Sequence, residues 1–322
     1  MSGTDTPSFD ATASAAMMPY AALVDAMHDA ALDYAAQRIV SPERLVVPLN
    51  AGGVMLSMPA TAPDLAIHKL VNVCATNRTR DLPTIHGKVM AFDANTGETR
   101  FILDGPTVTG RRTAAISMLG VRTFAHVFAD GVPREFVLIG TGTQASNHLD
   151  AIDALYPGAT VHVKGSAPAR AEAFCDAYAS RVSRLNVRAF HGDGVPESAD
   201  VVIALTTARS AVYDEAGRAD RLVIGVGAFT PQMAEIGART LADSAIFVDD
   251  KAGAKHEAGD LIQAGVAWDS VTAIADVLTG DAGSALALQT LKAASRPVVY
   301  KTVGCAAWDL AACRVVDAAI CR

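Results

Sequence analysis

Residues 136–145 read Phe136-Val-Leu-Ile-Gly140-Thr141-Gly142-Thr143-Gln144-Ala145, and this stretch decides the fold. Its first four residues are typical of a buried β-strand, and the Gly-x-Gly-x-x-Ala pattern lies where a helix should begin. The first glycine permits a tight turn, the second lets a ligand approach the backbone, and the alanine allows close packing of helix on strand. The pattern predicts a dinucleotide-binding unit whose helix N-terminus faces the phosphates. A glycine-rich turn in another kind of α/β domain is the alternative.

Strand patterns continue on the C-terminal side of this stretch, with helical patterns between several of them. The predicted strands lie at 136–139, 161–163, 187–190, 201–205, 222–226 and 246–248, and the predicted helices at 144–155, 169–182 and 268–293. Such alternation implies right-handed crossovers and a doubly wound parallel sheet. The tail from Val298 to Cys321 starts as a strand and continues with helical spacing.

The N-terminal side has a different pattern. A helical period at 20–39 is followed by strand patterns at 45–49, 54–59, 65–73, 88–93 and 98–103, and Ala94-Asn-Thr-Gly97 is a hairpin signal between the last two. Neighbouring strands without helices between them predict an antiparallel or mixed sheet, and hence an α+β unit. A helix is expected next, at 109–119.

Composition excludes several classes of protein. The 322 residues suffice for about two domains, and 27 Lys and Arg against 34 Asp and Glu give a net charge of −7, which argues against a nucleic-acid-binding face. The longest apolar runs, 201–205 and 222–229, are far shorter than a membrane span. Residues 1–16 lack the basic start and apolar stretch of a secretory signal, so we expect a disordered or loosely docked leader and a cytoplasmic protein.

Cysteine and histidine spacing gives no sign of a metal site. The five cysteines are scattered without a Cys-x-x-Cys pair, which favours free thiols in a reducing compartment. His86, His148 and His256 are isolated in sequence and lack the spacing of metal ligands. We therefore expect no metal, and a small-molecule ligand rather than a nucleic acid or a membrane.

The end of the second strand of the dinucleotide unit bears on the choice of cofactor. An NAD enzyme usually has an acid there for the ribose hydroxyls, but Val161-His-Val163 leads into Lys164-Gly-Ser166 and then Arg170. A hydroxyl and cations suit the 2′-phosphate of NADP through charge-assisted hydrogen bonds. NADPH is thus favoured over NADH, with solvated surface charges as the alternative reading of Lys164 and Arg170.

Two further cations are candidates for a substrate site. Arg112 belongs to Gly110-Arg-Arg-Thr113 at the start of the predicted helix, where the dipole disfavours cations unless an anion lies among them. Its guanidinium would grip a carboxylate bidentately. Lys69 shares a strand face with Ile67 and Val71, so its ammonium should meet a carboxylate or a ligand. Solvent exposure is the alternative for either cation.

Several short motifs, in order, resemble those of the ornithine cyclodeaminase/μ-crystallin family along nearly the whole chain. They are Met58-Pro-Ala60, Lys69, Leu82-Pro-Thr84, Phe92-Asp-Ala-Asn-Thr-Gly97, Gly110-Arg-Arg-Thr-Ala-Ala115, Gly140-Thr-Gly142 and Lys301-Thr-Val-Gly304 with Asp309. Within the family, Arg44-Leu-Val-Val-Pro48 and Met55-Leu-Ser-Met-Pro-Ala60 are most similar to the bacterial reductases of cyclic imines.

The resemblance implies a homodimer in which a Rossmann-type doubly wound parallel sheet is inserted into an α+β dimerisation and substrate domain. We place the α+β domain at residues 1–118 plus 299–322 and the Rossmann domain at 119–298. Arg44, Lys69 and Arg112 would surround the carboxylate and the reacting nitrogen of the substrate, with Lys69 and Arg112 as the catalytic pair. The implied cofactor contacts are Thr84, Arg112, Gly140, Thr141, Gly142, Thr143, Gln144, Ser166, Arg170, Thr206, Val226 and Thr302.

One departure from the family pattern separates its activities. Cyclodeaminases of the family have a catalytic Asp ahead of a Pro and a Glu-apolar pair, and counting back from Glu235 puts Phe229 at that place. No acid occurs from Leu222 to Ala234, so the general base for deamination is missing. Reduction of a preformed cyclic imine needs only a protonated C=N, a held carboxylate and a hydride donor.

The expected activity is therefore NAD(P)H-dependent reduction of cyclic ketimines, Δ1-pyrroline-2-carboxylate to L-proline and Δ1-piperideine-2-carboxylate to L-pipecolate. An alanine-type amino-acid dehydrogenase and a non-enzymatic, NADP-binding protein of the crystallin type are the alternatives. One ring methylene changes discrimination by only ~1–3 kcal/mol, so the sequence does not rank the two imines. NADP-dependent reductases of the family often have Arg-Thr where this chain has Ser166-Ala167, so NADH is kept as the alternative donor.

Overall fold

The computed structural model describes residues 6–321, apart from the side chains of Ala51, Ala75, Arg78 and Ala282. The chain divides into two compact units. Unit 1 contains the residues up to Thr113 and those from Cys305 onward, and unit 2 is Ala114–Gly304. The chain therefore leaves unit 1 once and returns to it, while the domain breaks proposed from the sequence follow residues 118 and 298.

Thirteen strands and ten α-helices occupy the described residues. The strands are β1 (Leu45–Pro48), β2 (Val54–Thr61), β3 (Leu65–Val73), β4 (Ile85–Asp93), β5 (Thr99–Asp104), β6 (Glu135–Ile139), β7 (Thr160–Lys164), β8 (Asn186–Ala189), β9 (Val201–Ala204), β10 (Leu222–Gly225), β11 (Ala245–Val248), β12 (Val271–Ala273) and β13 (Val298–Lys301). The helices are α1 (Ala11–Ala16), α2 (Tyr20–Ala35), α3 (Gly105–Thr123), α4 (Thr143–Leu155), α5 (Pro168–Tyr178), α6 (Ala238–Ala242), α7 (Lys251–Glu257), α8 (Gly259–Gln263), α9 (Ala282–Ala293) and α10 (Ala306–Ile320). None of these helices combines the length and the apolar character that a membrane span requires.

Unit 1 is built on an antiparallel sheet in which β1 to β5 lie in chain order. Side-chain alternation along β3 buries Ile67, Lys69 and Val71 on one face. Helix α10 packs on β2 and β3 and against α2. The hairpin between β4 and β5 is confirmed, because the Asp93 carboxylate accepts the N–H groups of its turn. The α+β prediction for this part of the chain is thus correct.

The expectation of a loose leader is wrong for the part of residues 1–16 that the structure describes. Ala11–Ala16 form α1, whose first turn is capped by the Asp10 carboxylate, which accepts the N–H of Ala13 at 2.8 Å. Ser8 also pairs with Ile102 of β5. Residues 1–5 lie outside the described residues.

The helix expected at 109–119 begins about one turn earlier than predicted. The Asp104 carboxylate accepts hydrogen bonds from both the N–H (2.9 Å) and the hydroxyl (2.6 Å) of Thr107, which fixes the start of α3 at Gly105. Arg112 therefore lies about two turns inside the helix. The prediction that Arg112 stands at a helix N-terminus is wrong, so an anion bound at a helix N-terminus does not explain the cation at this position.

Unit 2 is built on an eight-stranded parallel sheet in the order β12-β11-β13-β10-β9-β6-β7-β8. From β6 the chain proceeds to β7 and β8 on one side and then returns to β9 on the other side. The carboxyl ends of β6 and β9 therefore flank the switch point of the sheet, where open α/β sheets bind their ligands. This order confirms the predicted doubly wound sheet.

The prediction of one helix over residues 268–293 is wrong in its first half. Val271–Ala273 form β12, which extends the sheet by pairing with β11 in the register Ile246 to Val271, and the α-helix occupies only Ala282–Ala293. Pairing with an available sheet edge is a tertiary effect, and a helical period in the local sequence does not report it.

Candidate functional site

Lys69 is a buried cation in the middle of β3 of unit 1. Its residue is 2% exposed, and its Nζ atom lies 2.5 Å from Oδ2 of Asp309, which is fully buried in the first turn of α10. The expectation that this ammonium meets a carboxylate is confirmed. The alternative of an edge-strand lysine turned to water is wrong, since β3 lies between β2 and β4.

Arg112 uses the other oxygen of the same carboxylate. Its Nε atom lies 3.3 Å from Oδ1 of Asp309, and the residue is buried. Among the described residues no acceptor is bonded to its two terminal nitrogens, so that edge of the guanidinium can bind a ligand carboxylate in a fork. The neighbouring Arg111 points elsewhere, donating to the carbonyl of Met18 and lying over the ring of Tyr20.

The cluster of Lys69, Arg112 and Asp309 has two cations for one anion. A buried charge without a partner is costly, so a site with an excess of positive charge is suited to an anionic ligand. This charge balance explains the cation at position 112, which the helix N-terminus does not.

Burial shifts the pKa of Lys69 from 10.5 to about 8. Loss of hydration is the largest cause, and the charges of Arg112 and Arg44 lower the pKa further, whereas Asp309 raises it. An ammonium with a pKa near 8 gives up and regains a proton easily close to neutral pH. The influence of Arg44 also shows that this half-buried residue, just before β1, lies within electrostatic reach of the cluster.

Thr84, the other predicted residue of unit 1, lies just before β4. It is half-buried, and its carbonyl accepts the N–H of Cys74 at 2.8 Å. Its place in a cofactor site stays a prediction.

The glycine-rich turn after β6 has the geometry that its sequence predicts. Gly140 has a φ of +134°, and a Cβ atom there would lie 2.7 Å from the carbonyl oxygen of Leu205. Gly142 precedes α4, and a Cβ atom there would meet nothing within 4 Å. Gly140 thus serves the turn, whereas Gly142 leaves open space through which a ligand reaches the backbone.

Thr141, Thr143 and Gln144 complete this turn. Thr143 and Gln144 form the start of the 13-residue helix α4, whose first N–H groups have no acceptor within the helix. The Oε1 atom of Gln144 is buried without a partner among the described residues. The open space at Gly142 and the N–H groups at the start of α4 fit the pyrophosphate of a dinucleotide.

The end of β7 and the start of α5 place Ser166 and Arg170 in solvent. Both side chains are exposed, and no hydrogen bond or ion pair is formed by either among the described residues. Lys164 differs, because its Nζ atom donates to the carbonyls of Gly192 (3.2 Å) and Gly194 (2.6 Å). Ser166 and Arg170, rather than Lys164, are therefore available to a 2′-phosphate.

Thr206, Val226 and Thr302 follow three neighbouring strands, β9, β10 and β13. Thr206 is half-buried, whereas Val226 and Thr302 are buried, and the N–H of Thr302 donates to the carbonyl of Gly225 at 2.9 Å. Their common position is the carboxyl edge of the sheet, where the glycine-rich turn also lies. The predicted residues of unit 2 thus share one edge.

Sequence reasoning assigned no role to the buried carboxylates that shape these two regions. Asp309 pairs with both predicted cations, Glu235 accepts backbone N–H groups after β9 and β10, and Asp249 accepts those of Val303 (2.9 Å) and Gly304 (2.9 Å) after β13. A signal was present for Asp309, because it is an acid within the apolar run Ala306–Cys313 of an amphipathic helix.

Phe229 follows β10 and is 38% exposed. It stands where the resemblance places the catalytic Asp of cyclodeaminases. A phenyl ring neither accepts nor donates a proton, so the loop after β10 has no general base at this position.

These features define a Rossmann-type α/β protein with a buried Lys-Asp-Arg cluster in a second, α+β unit. The model of the ornithine cyclodeaminase/mu-crystallin family matches residues 11–321. The chain belongs to this family, as its motifs predict.

Similar proteins cover nearly the whole chain. The Δ1-pyrroline-2-carboxylate reductase 1 of Burkholderia multivorans is 55% identical over 315 residues, which are 98% of this chain and 96% of that protein. The Δ1-pyrroline-2-carboxylate/Δ1-piperideine-2-carboxylate reductase of Azospirillum brasilense is 54% identical over 314 residues, again 98% and 96%. The structure of Thermococcus litoralis Δ1-pyrroline-2-carboxylate reductase with NADH and L-proline superposes with a TM-score of 0.80 at 20% identity, covering 97% of this chain and 96% of that one, and shows the same fold.

Proposed function

We propose that this chain is an NAD(P)H-dependent reductase of cyclic ketimines, converting Δ1-pyrroline-2-carboxylate to L-proline and Δ1-piperideine-2-carboxylate to L-pipecolate. The observation that carries the proposal is the buried cluster in which Lys69 and Arg112 share the carboxylate of Asp309. The guanidinium of Arg112 can bind a carboxylate through two N–H groups, and the ammonium of Lys69 can donate to a basic nitrogen. A carboxylate and a basic nitrogen are the two polar groups of these imines. The 55% identical relative is named for Δ1-pyrroline-2-carboxylate, and the 54% identical relative from Azospirillum brasilense is named for both imines.

In the proposed reaction Arg112 binds the carboxylate of the imine and fixes the orientation of the ring. The ammonium of Lys69 donates a hydrogen bond to the nitrogen of the neutral imine and transfers that proton to it, which leaves Lys69 as a neutral amine and the imine as an iminium ion. Hydride then adds to the C=N carbon, the electron pair of the double bond moves to nitrogen, and the product is a secondary amine. A protonated imine is the better acceptor, because its reduction leaves no anion on nitrogen. NADPH, when bound, supplies the hydride.

Asp309 positions both cations for these roles. It holds Lys69 and Arg112 on its two oxygens, and its charge keeps the pKa of Lys69 from falling further than about 8. Near neutral pH the ammonium therefore predominates, while exchange of its proton is easy.

For the cofactor we propose NADPH, with NADH as the alternative. The open space at Gly142 and the N–H groups at the start of α4 suit the pyrophosphate. Ser166 and the guanidinium of Arg170 suit a 2′-phosphate, and the strand end before them has no acid for an unmodified ribose. In this assignment unit 2 is the dinucleotide domain and unit 1 the substrate and dimerisation domain.

A cyclodeaminase activity is disfavoured by the loop after β10. Elimination of an amino group needs a base, and Phe229 occupies the position that the resemblance gives to the catalytic Asp. Reduction of an imine that already exists needs no such base.

We also propose a cytoplasmic homodimer. Val40, Leu45 and Val46, at and before β1, are apolar and 62%, 62% and 52% exposed, which is unusual unless a partner covers them. All five cysteines are free thiols, which suits a reducing compartment. Light scattering of the purified protein tests the dimer, since a monomeric mass contradicts it.

The activity is tested by following the loss of NADPH absorbance at about 340 nm. Each imine is assayed separately at mildly acidic pH. We expect turnover with at least one imine. Formation of NADH from NAD and L-alanine without imine reduction would instead indicate an amino-acid dehydrogenase. Tight NADPH binding without any turnover would indicate a non-enzymatic binder.

A further inference from the structure

One buried carboxylate in unit 2 ties together two loops at the carboxyl edge of the parallel sheet. Glu235 is fully buried; its Oε1 atom accepts the N–H of Thr206, and its Oε2 atom accepts those of Gly227 (2.5 Å) and Ala228 (3.0 Å). Thr206 follows β9, and Gly227 follows β10. The two loops therefore depend on the same side chain for their backbone hydrogen bonds.

The backbone of Glu235 is bound by a second buried carboxylate, Asp260, and Asp260 in turn lies close to the buried ammonium of Lys301. The Oδ1 atom of Asp260 accepts the N–H groups of Glu235 and of Ile236 (2.8 Å). Its Oδ2 atom lies 3.2 Å from the ammonium of Lys301, at the end of β13. A chain of three buried ionisable groups thus runs behind the edge of the sheet from β13 to β9.

The loop after β9 also touches the glycine-rich turn. A Cβ atom at Gly140 would lie 2.7 Å from the carbonyl oxygen of Leu205, and one at Gly227 would lie 1.9 Å from the carbonyl oxygen of Thr206. Three successive backbone segments, after β6, β9 and β10, are therefore in close contact. A shift of the Thr206 segment displaces one wall of the crevice at the switch point.

We propose that Glu235 is a positioning residue for the dinucleotide. Glu235 holds the loops after β9 and β10, which lie on one side of the switch point, whereas β7 lies on the other side. It therefore shapes the half of the dinucleotide site on the β9 side. In sheets of this kind the first turn and the end of the next strand bind the pyrophosphate and the adenosine ribose, so the far half receives the nicotinamide mononucleotide. This inference rests on the proposed function for its cofactor. If Glu235 has this role, its substitution weakens binding of the whole dinucleotide but not binding of the adenosine half alone.

The variant Glu235→Gln separates this role from general stability. Glutamine keeps the volume of the side chain but turns one of its two acceptors into an N–H₂ donor that faces backbone donors. The matched control is Asp200→Asn, because Asp200 accepts the N–H groups of Arg134 (2.7 Å) and Glu135 (2.9 Å) at the opposite, amino end of the same sheet. Both changes remove an acceptor of backbone N–H groups in unit 2, and only the first lies at the carboxyl edge.

The measurement is binding by the full-length wild-type and variant proteins, with NADPH fluorescence for the whole dinucleotide and calorimetry for adenosine 2′,5′-bisphosphate. For Glu235→Gln we expect the Kd of NADPH to rise about tenfold or more, because binding must then order the loops after β9 and β10, while the Kd of the bisphosphate stays within about twofold. For Asp200→Asn we expect neither Kd to change. If NADH is the tighter ligand of the wild type, NADH and ADP replace the two probes.

Two results would overturn the inference: wild-type affinity for NADPH in folded Glu235→Gln, or a parallel loss of both ligands. If this variant does not fold, Asp260→Asn removes the acceptor behind Glu235, and unchanged NADPH binding there would overturn the inference as well. Wild-type protein that binds neither dinucleotide would refute the proposed cofactor site together with the inference. Normal binding and a selective loss in Glu235→Gln, without imine reduction by the wild type, would refute only the proposed substrate.

Discussion

The ammonium of Lys69 lies 2.5 Å from the Oδ2 atom of Asp309, and neither side chain is more than 2% exposed. The other oxygen of this carboxylate contacts Arg112, so one anion from α10 holds a cation from β3 and a cation from α3. The excess positive charge of the cluster is the physical reason to expect an anionic substrate there.

Removal of the shared anion should alter both the stability and the pH profile. In Asp309→Asn we expect about 3 kcal/mol or more of lost stability, since a buried charge pair is broken. Because Asp309 raises the pKa of Lys69, its loss should also move the basic limb of kcat against pH to lower pH, by roughly one unit or more. Asp64→Asn, at an exposed pair with Arg314, is the control and should leave the limb in place. An unmoved limb in Asp309→Asn would contradict the role of Asp309.

The wild-type pH profile follows from the pKa of Lys69. The group is lowered from 10.5 to about 8, so the ammonium is present below pH 8 and is lost as the pH rises through that value. Imine reduction should therefore be highest on the acidic side of pH 8 and decrease above it. Initial rates at saturating NADPH test this pH dependence. They are measured from about pH 6 to about pH 10, roughly two pH units on each side of the pKa. A rate that does not fall above pH 8 would show that the reaction does not need the charged lysine.

Lys69→Met keeps much of the bulk of the side chain and removes the charge. We expect kcat to fall about 10²-fold or more, as for loss of a general acid, with a smaller change in the KM of the imine. NADPH affinity should stay close to that of the wild type. Lys88→Met, on the neighbouring strand with an exposed side chain, is the matched control. Wild-type turnover of Lys69→Met across the pH range would make Lys69 a structural residue and water the proton source.

Arg112→Lys retains the charge but loses the planar fork. We expect the KM of the imine to rise about tenfold, with a smaller effect on NADPH affinity, because a lysine cannot bind a carboxylate and Asp309 in the same geometry. Arg111→Lys is the control, since Arg111 binds the Met18 carbonyl. Equal effects of the two substitutions on KM would argue against a carboxylate at Arg112.

Selectivity between the two nicotinamide cofactors should depend on Arg170. In Arg170→Ala we expect the KM of NADPH to rise about tenfold, a common size for one charge-assisted phosphate contact, and that of NADH to change little. Lys164→Ala, which removes donors to two backbone carbonyls, should not change the ratio of the two KM values. If Arg170→Ala affects both cofactors equally, Arg170 does not contact a 2′-phosphate.

The glycine-rich turn could be predicted because its requirements are local. A strand, two glycines and a helix start lie within ten residues, and Gly140 and Gly142 have the backbone freedom and open space that the pattern implies. Lys69 could also be predicted in part, since alternation along one strand shows that its face is apolar.

The partners of these residues could not be predicted in the same way. Asp309 lies 197 positions from Arg112 in sequence, and Glu235 lies 29 positions from Thr206, so neither contact leaves a local periodic signal. The start of α3 was missed because nearby glycines interrupt the helical period of the sequence. The cap that stabilises the first turn, from Thr107 to the Asp104 carboxylate, does not show in that period. Strand β12 was missed because its stability comes from the edge of β11.

Transfer of hydride from NADPH to the imine carbon is tested most directly by following the hydride itself. The protein is incubated with Δ1-pyrroline-2-carboxylate and NADPH that carries deuterium on both positions of nicotinamide carbon 4, and the proline formed is analysed by mass spectrometry and chiral chromatography. We expect L-proline with one deuterium, located on the α-carbon. Proline without deuterium, or proline and ammonia formed from L-ornithine in place of imine reduction, would contradict the proposed reductase activity.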